Sequence, residues 1–586
     1  MSDSIGVIAP AITAGGRELK AELLDQLVSM RIERGLGLAG RTTLRFLDPG
    51  YQISAADTFS LGKDIQVKEP AGVELFSGTV TGIDLDQRRR SVPELVVIVD
   101  DAAYKLARGT QIKTYLKTGY GEVIRQIANR HGLTPSVDAT RGTFEYLLQS
   151  GSDLSFLNGI AERTGLAWWV DGRNLHVAKV PDSSPPVTVT LGDDLYEFSV
   201  RASGLRPTAV ELNGWNADQQ TNVNGKNSSS TAHLSDLVKN YVGTKPASAL
   251  TAAPALLADP PPLTADEATT IATGLFTDAE AAAVVAEGIG RINGKIKPGG
   301  RVKVADSGPA SGTYTVTQVE HVYDRDGFET RFTCGPRRPA SLVDTLGGPA
   351  PDPNFLATVP ILGVVTDNND PAGRVKVKYS GVGGEIESPW ARVVSLGGGA
   401  ARGVIFVPEV GDEVLVAFER GDTRRPVVIG GLFSEKNKLP TAGSGVKEGK
   451  VEFRRMVSRK NHVIEIADGE QPSQQHVLIK LGTAEHLIRV GADRFDVEVA
   501  DGKPLTIKAG KAMFDINAGG NISIEGKNVT IKADANLLLQ GGSKAVLESN
   551  AQTQVTGGKL DVKANGVASV EAGGPLALKG ATVAIN

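Results

Sequence analysis

The chain has 586 residues with 63 basic side chains against 67 acidic ones, and its formal net charge of −4 leaves no basic field to attract nucleic acid. One cysteine excludes internal disulfides, and a chain this long exceeds a single hydrophobic core, so several domains are expected. With 69 glycines and 5% aromatic residues, the balance suits many strands and tight turns.

At the amino terminus, residues 1–10 carry neither the basic nor the apolar part of a secretion signal, and no run of about eighteen apolar residues follows anywhere. Folding in a reducing bacterial cytosol is therefore expected. Residues 17–100 read as strands: Leu27–Ile32, Thr43–Phe46, Ile65–Val67, Leu75–Val80 and Leu95–Val99 predict a small barrel or sandwich. Gly35-Leu-Gly-Leu-Ala-Gly40 fits the dinucleotide fingerprint, but a strand follows at Arg41–Leu47, so a hairpin connection is expected instead. Arg88-Arg-Arg90 reads as a solvated turn. The paired acids Asp100-Asp101 and Asp193-Asp194 point to opposite strand faces and make no acid/base couple.

The spacing of Val123, Ile124, Ile127 and Ala128 predicts a helix from Gly121 to His131, and a second runs from Asp153 to Thr164 with Ser152 placed to cap it. Leu166–Val170 and Asn174–Ala178 flank an Asp171-Gly172 hairpin turn. Asn213–Thr231 and Lys245–Ala265 read as mobile surface loops, and Thr277–Gly290 as a helix. Strands resume at Arg301–Val304 and Thr313–Tyr323, Cys334 is a small residue near a strand end, and the prolines of 336–353 end the region.

Residues 358–435 predict five strands, Ile361–Thr366, Arg374–Tyr379, Val404–Val407, Glu413–Phe418 and Pro426–Gly430, in a small closed barrel of the OB type. The basic groove and stacking aromatics of a single-strand binder are missing. Gly397-Gly-Gly399 lacks the ending of a phosphate loop and reads as a flexible turn. The seven histidines are scattered without ligand spacing, so no metal or other cofactor is expected.

From Val490 and Val499 onward, apolar-x-apolar triplets recur about every eight residues, a period that cannot close a core within one chain. The third positions are Ile507, Ile516, Ile524, Ile531, Leu539, Leu547, Val555, Val562, Val570, Leu578 and Ile585. Such triplets must stack or intertwine, which predicts a β-solenoid or a β-helix wound from several chains, with the residues from Ile507 to Leu578 as its core. At ~4.8 Å per step the rod would be on the order of 60 Å long. No aromatic residue follows Phe514, no arginine follows Arg494 and no histidine follows His486, so the tail lacks the usual catalytic equipment. The apolar pattern runs to Leu578, Val583 and Ile585 and stops at Asn586 without a polar cap, which predicts a blunt tip that needs a cover.

Tyr146-Leu-Leu-Gln-Ser-Gly-Ser-Asp-Leu-Ser-Phe-Leu-Asn158, Ala161-Glu-Arg-Thr-Gly165 and Trp168-Trp-Val-Asp-Gly172 resemble the hub of contractile phage tails and of VgrG spike proteins. Ser388-Pro-Trp-Ala-Arg392, the run Phe406 to Phe418 and Gly421-Asp-Thr-Arg-Arg-Pro426 are similar to that family's OB module, and Ser458-Arg459 with His462 resembles the start of its shaft. The resemblance implies a mainly β, multidomain homotrimer: hub-type β-barrels with a few helices in 1–350, a linker and OB-fold neck in 351–435, and a neck and intertwined trimeric β-helix in 436–586. Its implied partners are a hexameric inner tube protein, baseplate proteins, a PAAR-type tip protein held at Leu578, Val583, Ile585 and Asn586, and effector cargo, with no nucleic acid. The implied function is a non-enzymatic central spike that pierces a target envelope.

No lysozyme-like insert separates the OB segment from the shaft, no effector domain follows Asn586, and Val-x-Gly-Asn runs are missing. These departures favour the spike of an extracellular contractile particle. A type VI secretion spike and a tail-associated cell-wall-degrading enzyme stay open as alternatives.

Overall fold

The computed structural model describes residues 9–89, 91–204, 206–229, 253–337, 359–440 and 444–585. It is dominated by strands, and the chain divides into two compact units, Met1–Leu439 and Pro440–Asn586. No helix among the described residues is long and apolar enough to cross a membrane.

In the first unit, the strands expected in 17–100 form where their alternation places them, but they do not make a separate barrel. They join a 13-stranded sheet that runs Leu195–Ala202, Val284–Arg291, Gly327–Cys334, Gly312–Asp324, Leu27–Gly35, Arg41–Leu47, Glu94–Asp100, Glu74–Asp86, Asp64–Lys68, Ala11–Ala14 and Arg17–Glu18. Off this path, Val187–Thr190 pairs with Arg301–Ala305, which pairs with Gly312–Asp324. The long strand Gly312–Asp324 is the seam between the two halves, because it pairs with Leu27–Gly35 on one side and Gly327–Cys334 on the other. One apolar core lies around Met30, Phe46, Val67 and Val97, and another around Val302, Tyr314 and Phe332.

The Gly35 to Gly40 stretch connects two paired strands, as its context requires. Asp100 and Asp101 do face apart: Asp100 receives Arg41 and the Thr81 hydroxyl, whereas Asp101 accepts the Gly40 and Ala103 N–H groups. Burial pushes the Asp101 carboxyl up to about 6 against those two hydrogen bonds. Arg88 lies in a turn against Asp86, and Arg90 falls outside the described residues.

Two helices pack on the next layer. Tyr120–Arg130 buries Val123, Ile124, Ile127 and Ala128, and Asp153–Thr164 starts at Ser152, whose hydroxyl accepts the Ser155 N–H at 3.1 Å. Asp153 joins them, since it takes Arg130, His131 Nε2 at 2.6 Å and Gln149. The hairpin Ala167–Asp171 and Asn174–Ala178 turns at Gly172, whose φ of 62° suits a residue without Cβ.

Three expectations fail here. The supposed helix at Thr277–Gly290 is two elements: a helix, Ala265–Ala281, capped by Thr264, then a strand, Val284–Arg291. Gly288 and Gly290 explain the strand, because a Cβ on either would lie 2.3 Å from Phe332 or from the Asp194 carbonyl oxygen. The supposed loop at Asn213–Thr231 is largely the hairpin Val210–Asn216 with Thr221–Asn227, whose Val210, Leu212 and Val223 pack on the helix Ala265–Ala281. Of the second supposed loop, Ala255–Leu257 is a strand paired with Val210–Asn216. Residues 230–252 and 338–358 lie outside the described residues.

The OB-type sheet runs Lys376–Tyr379, Ile361–Asp367, Glu413–Phe418, Pro426–Gly431 and Arg392–Val393. The expected strand at Val404–Val407 is absent among the described residues. Those residues follow a short hairpin, Gly398–Gly399 with Arg402–Gly403, and Ile405 and Phe406 stand exposed with no neighbouring strand to hold them extended. The small core holds Val365, Val377, Tyr379, Val414, Val416 and Val428, and it is completed by Tyr146 and Leu148 from the hub strand Phe144–Gly151.

Candidate assembly surface

The second unit begins with a five-stranded antiparallel meander: Phe453–Val457, Val463–Asp468, Gln475–Lys480, Leu487–Gly491 and Phe495–Glu498. Side chains alternate faces along a strand, so the register assigns each residue. Met456, Ile464, Ile479, Ile488 and Val497 form one cross-strand row, and Ile466, Val477, Val490 and Phe495 form the next, with Arg454 at its end. These nine apolar residues are exposed, between 44% (Ile488) and 66% (Phe495).

The opposite face is the charged one. Arg455, Glu465, Leu478, Arg489 and Asp496 form its central row. Glu465 takes Arg455 on one oxygen and His476 Nε2 at 3.0 Å on the other, and Asp496 takes Arg494 at 2.9 Å. A sheet that leaves its apolar face open and pairs charges on the other is inverted relative to a self-sufficient domain.

The same inversion follows in the meander Leu505–Ala509, Ala512–Ile516 and Ile522–Glu525. Ile507, Phe514 and Ile524 share one row, and Leu505, Ile516 and Ile522 the adjacent one, while Thr506, Lys508, Asp515, Ser523 and Glu525 occupy the other face. Of the residues expected in the core, Ile507, Ile516 and Ile524 are thus brought onto one face. Ile531, Leu539, Leu547, Val555, Val562, Val570 and Leu578 lie beyond the last strand and are not brought together within one chain; each is more than 60% exposed. Val583 and Ile585 are likewise exposed, and Asn586 lies outside the described residues. The sequence reading missed the first meander, although its signal is present: Val463-Ile-Glu-Ile-Ala467 and Gln475-His-Val-Leu-Ile-Lys480 alternate like half-buried strands.

A second cluster lies in the first unit, where the 419–425 turn meets the hub. Arg424 hydrogen-bonds Asp422, donates to Glu267 Oε1 at 2.9 Å and to the Pro261 carbonyl at 3.2 Å. Arg425 donates to the carbonyls of Trp215 and Pro262, and Arg420 to that of Ala258. Arg163 also approaches Glu267, at 3.5 Å. Burial raises the Asp422 carboxyl, but the Arg424 guanidinium outweighs it and holds the group below its ordinary value. A cleft of about 60 Å³ beside them, lined by Tyr120, Arg163, Thr423 and Arg424, has room for a few waters. Four charges paired this closely suit a structural clamp.

Comparison with known proteins now bears on this arrangement. The profile of the Alg8 N-terminal domain matches residues 5–324, more than half of the chain. The chain belongs to the Alg8 N-terminal domain family. In this Alg8-family chain, residues 361–433 also match the type VI secretion system/phage-baseplate injector OB domain. Two Pseudomonas aeruginosa relatives are similar over shorter stretches. The type VI secretion system spike protein VgrG5 is 34% identical over 122 residues, 20% of this chain and 15% of that protein. Spike protein VgrG4b is 39% identical over 75 residues, 12% of this chain and 9% of that one. The chain therefore spans only a small part of the length of these relatives. Among solved structures, an E. coli type VI component described as similar to T4 tail proteins gp27 and gp5 is 16% identical with TM-score 0.48, covering 72% of this chain and 99% of that one. A chain of a Francisella PdpA–VgrG complex is 10% identical with TM-score 0.46, covering 89% of this chain and 81% of that one. The resemblance to VgrG-type spikes read from the hub and OB motifs is borne out by the injector OB match and the VgrG relatives.

Proposed function

We propose that this Alg8-family chain is the homotrimeric central spike of a contractile, phage-tail-like injection particle. The observation that carries the proposal is the inverted second unit: two successive sheets expose one apolar face, and the apolar triplets continue for about sixty further residues with no strand to pair them. Two more copies of the same chain supply what is missing, because identical triplets can cover one another around a shared axis. The injector OB match and the VgrG relatives support the same conclusion.

In this arrangement the hub docks on a hexameric inner tube within a baseplate, and the carboxy-terminal rod concentrates the force of contraction on a target envelope. Leu578, Val583 and Ile585 carry a separate PAAR-type tip protein, and effector cargo rides on the assembly. The role is mechanical, so the purified chain should release no soluble muropeptides from peptidoglycan. The missing Val-x-Gly-Asn runs favour a free extracellular particle over a membrane-anchored type VI machine.

Electron microscopy of particles purified from the producing cell tests the proposal. Density for this chain at the end of a contractile tube supports it, and particles outside the cell support the extracellular setting. Intact contractile particles that lack the chain would overturn it.

A further inference from the structure

The cleft beside Arg424 lies where two hub helices face the 421–424 turn of the OB-type module, and its walls are of two kinds. Leu147, Phe156 and Ile160 line it with apolar surface, whereas Tyr120 and Arg163 from the helices and Thr423 and Arg424 from the turn bring polar groups to it. Asp422, the acid on this lining, is already committed: both of its oxygens accept from the Arg424 side chain, and one also accepts the Arg424 N–H. Arg424 is committed too, because its three side-chain nitrogens donate to Asp422, Glu267 and the Pro261 carbonyl.

Three donors on the lining are left over. Tyr120 is 4% exposed and Thr423 5%, and neither hydroxyl has a hydrogen-bond partner among the described residues. Arg163 Nη1 is buried without a hydrogen bond and reaches Glu267 only at 3.5 Å, where Arg424 and the Leu263 N–H already hold the carboxylate. Buried donors without acceptors are costly, so three around one cleft point to an acceptor that the chain does not itself supply. Burial raises the Tyr120 phenol above its ordinary value, so the hydroxyl keeps its proton and can donate. That hydroxyl also feels the charges of Arg163 and Arg424 more strongly than those of Glu267 and Asp422. The four charges cancel in sum, but not at this end of the cleft.

We propose that the cleft binds a small tetrahedral oxyanion of the class of inorganic phosphate. Its volume of about 60 Å³ takes roughly five water-sized spheres, matching the five heavy atoms of such an ion. The Tyr120 and Thr423 hydroxyls and the Arg163 guanidinium donate to its oxygens, and the apolar walls strengthen these charge-assisted bonds by keeping bulk water away. Arg424 contributes charge without giving up its own partners. The bound ion ties the two hub helices to the OB turn. The site lies within one chain and does not depend on the proposed spike.

Equilibrium dialysis of the full-length protein against radiolabelled inorganic phosphate near neutral pH, in excess sodium chloride, tests the proposal. One phosphate should bind per chain, displaced by sulfate but not by chloride raised to the same ionic strength. Tyr120→Phe removes the hydroxyl and keeps the ring packed on Phe144, whose centroid is 4.4 Å away. Its affinity for phosphate should fall about tenfold, as expected for one lost hydrogen bond to a charged group. Without phosphate its unfolding temperature should equal or exceed that of the wild type, because an unpaired buried hydroxyl has gone. Arg163→Met should weaken binding further than Tyr120→Phe does. Absence of saturable phosphate binding, or a Tyr120→Phe variant that binds as tightly as the wild type, overturns the proposal.

Discussion

Leu148, on the hub strand Phe144–Gly151, is buried in the same apolar cluster as Val416 at the centre of the OB-type sheet, at 3% and 0% exposure. The barrel's core is therefore finished by a residue more than two hundred positions upstream. Replacing Leu148 with Ala should cost about 3 kcal/mol through the cavity it leaves. Hydrogen exchange should then rise in Glu413–Phe418 and Pro426–Gly431 as well as in the hub strand. A loss confined to the hub would mean that the barrel holds itself.

Arg424→Met tests the clamp. The change keeps the side-chain stem but leaves Asp422 and part of the Glu267 charge buried without their partner, since Arg163 reaches Glu267 only at 3.5 Å. Breaking a buried pair in this way should cost about 3–5 kcal/mol. Arg420, which grips the Ala258 carbonyl, and Arg425, which grips two carbonyls and Glu419 at 3.1 Å, should matter less when changed to Met. Thermal unfolding of the full chain reads the ranking, and equal effects for all three would contradict it.

His321 sets an acid limit for the hub. Burial, together with the nearby Arg34 charge, lowers its pKa to about 3 from an ordinary 6.5, and the neutral ring hydrogen-bonds Thr330 at 3.0 Å. A depressed value means that the unfolded chain takes up the proton first, so this contribution is complete above about pH 6.5 and declines as pH falls towards 3. At pH 4.5 the loss should be about 3 kcal/mol. Exchange protection of Gly312–Asp324 should track it, and a His321→Gln variant should show a flatter pH profile. A profile unchanged in the variant would assign the acid sensitivity elsewhere.

Ile479→Asp separates a covered face from a bare one. In a lone chain Ile479 is half exposed, and a charge there should change stability by no more than about 0.5 kcal/mol. In a trimer three carboxylates would enter the shared core, each at a penalty of several kcal/mol. The variant should therefore lose its oligomer while its hub melts normally. A variant that assembles like wild type would show that this face stays open.

Much of this architecture is legible in the sequence where one period dominates. The helices at Tyr120–Arg130 and Asp153–Thr164 announce themselves through apolar spacing and the Ser152 cap, and the injector motifs through Phe406 to Phe418. Where two periods compete, the sequence misleads: the Ala-rich run before Gly290 continues helical composition into a strand that only close packing on Phe332 explains. Polar, Gly-rich Asn213 to Asn227 reads as a loop because within it Val223 alone is a buried apolar side chain of the core cluster. The candidate surface was half legible. The eight-residue period exposed Ile507, Ile516 and Ile524, but the ion pairs of Glu465 and Asp496 on the reverse face come from register across strands, which local pattern does not carry.

The central claim is that three copies of this chain cover one another's apolar face. Sedimentation equilibrium of the purified full-length chain at neutral pH measures it most directly. A mass of three chains, each 61.4 kDa, that persists on dilution to nanomolar concentration is the predicted result. A well-folded particle of one chain, with Ile464, Ile479 and Ile507 still open to solvent, would contradict it.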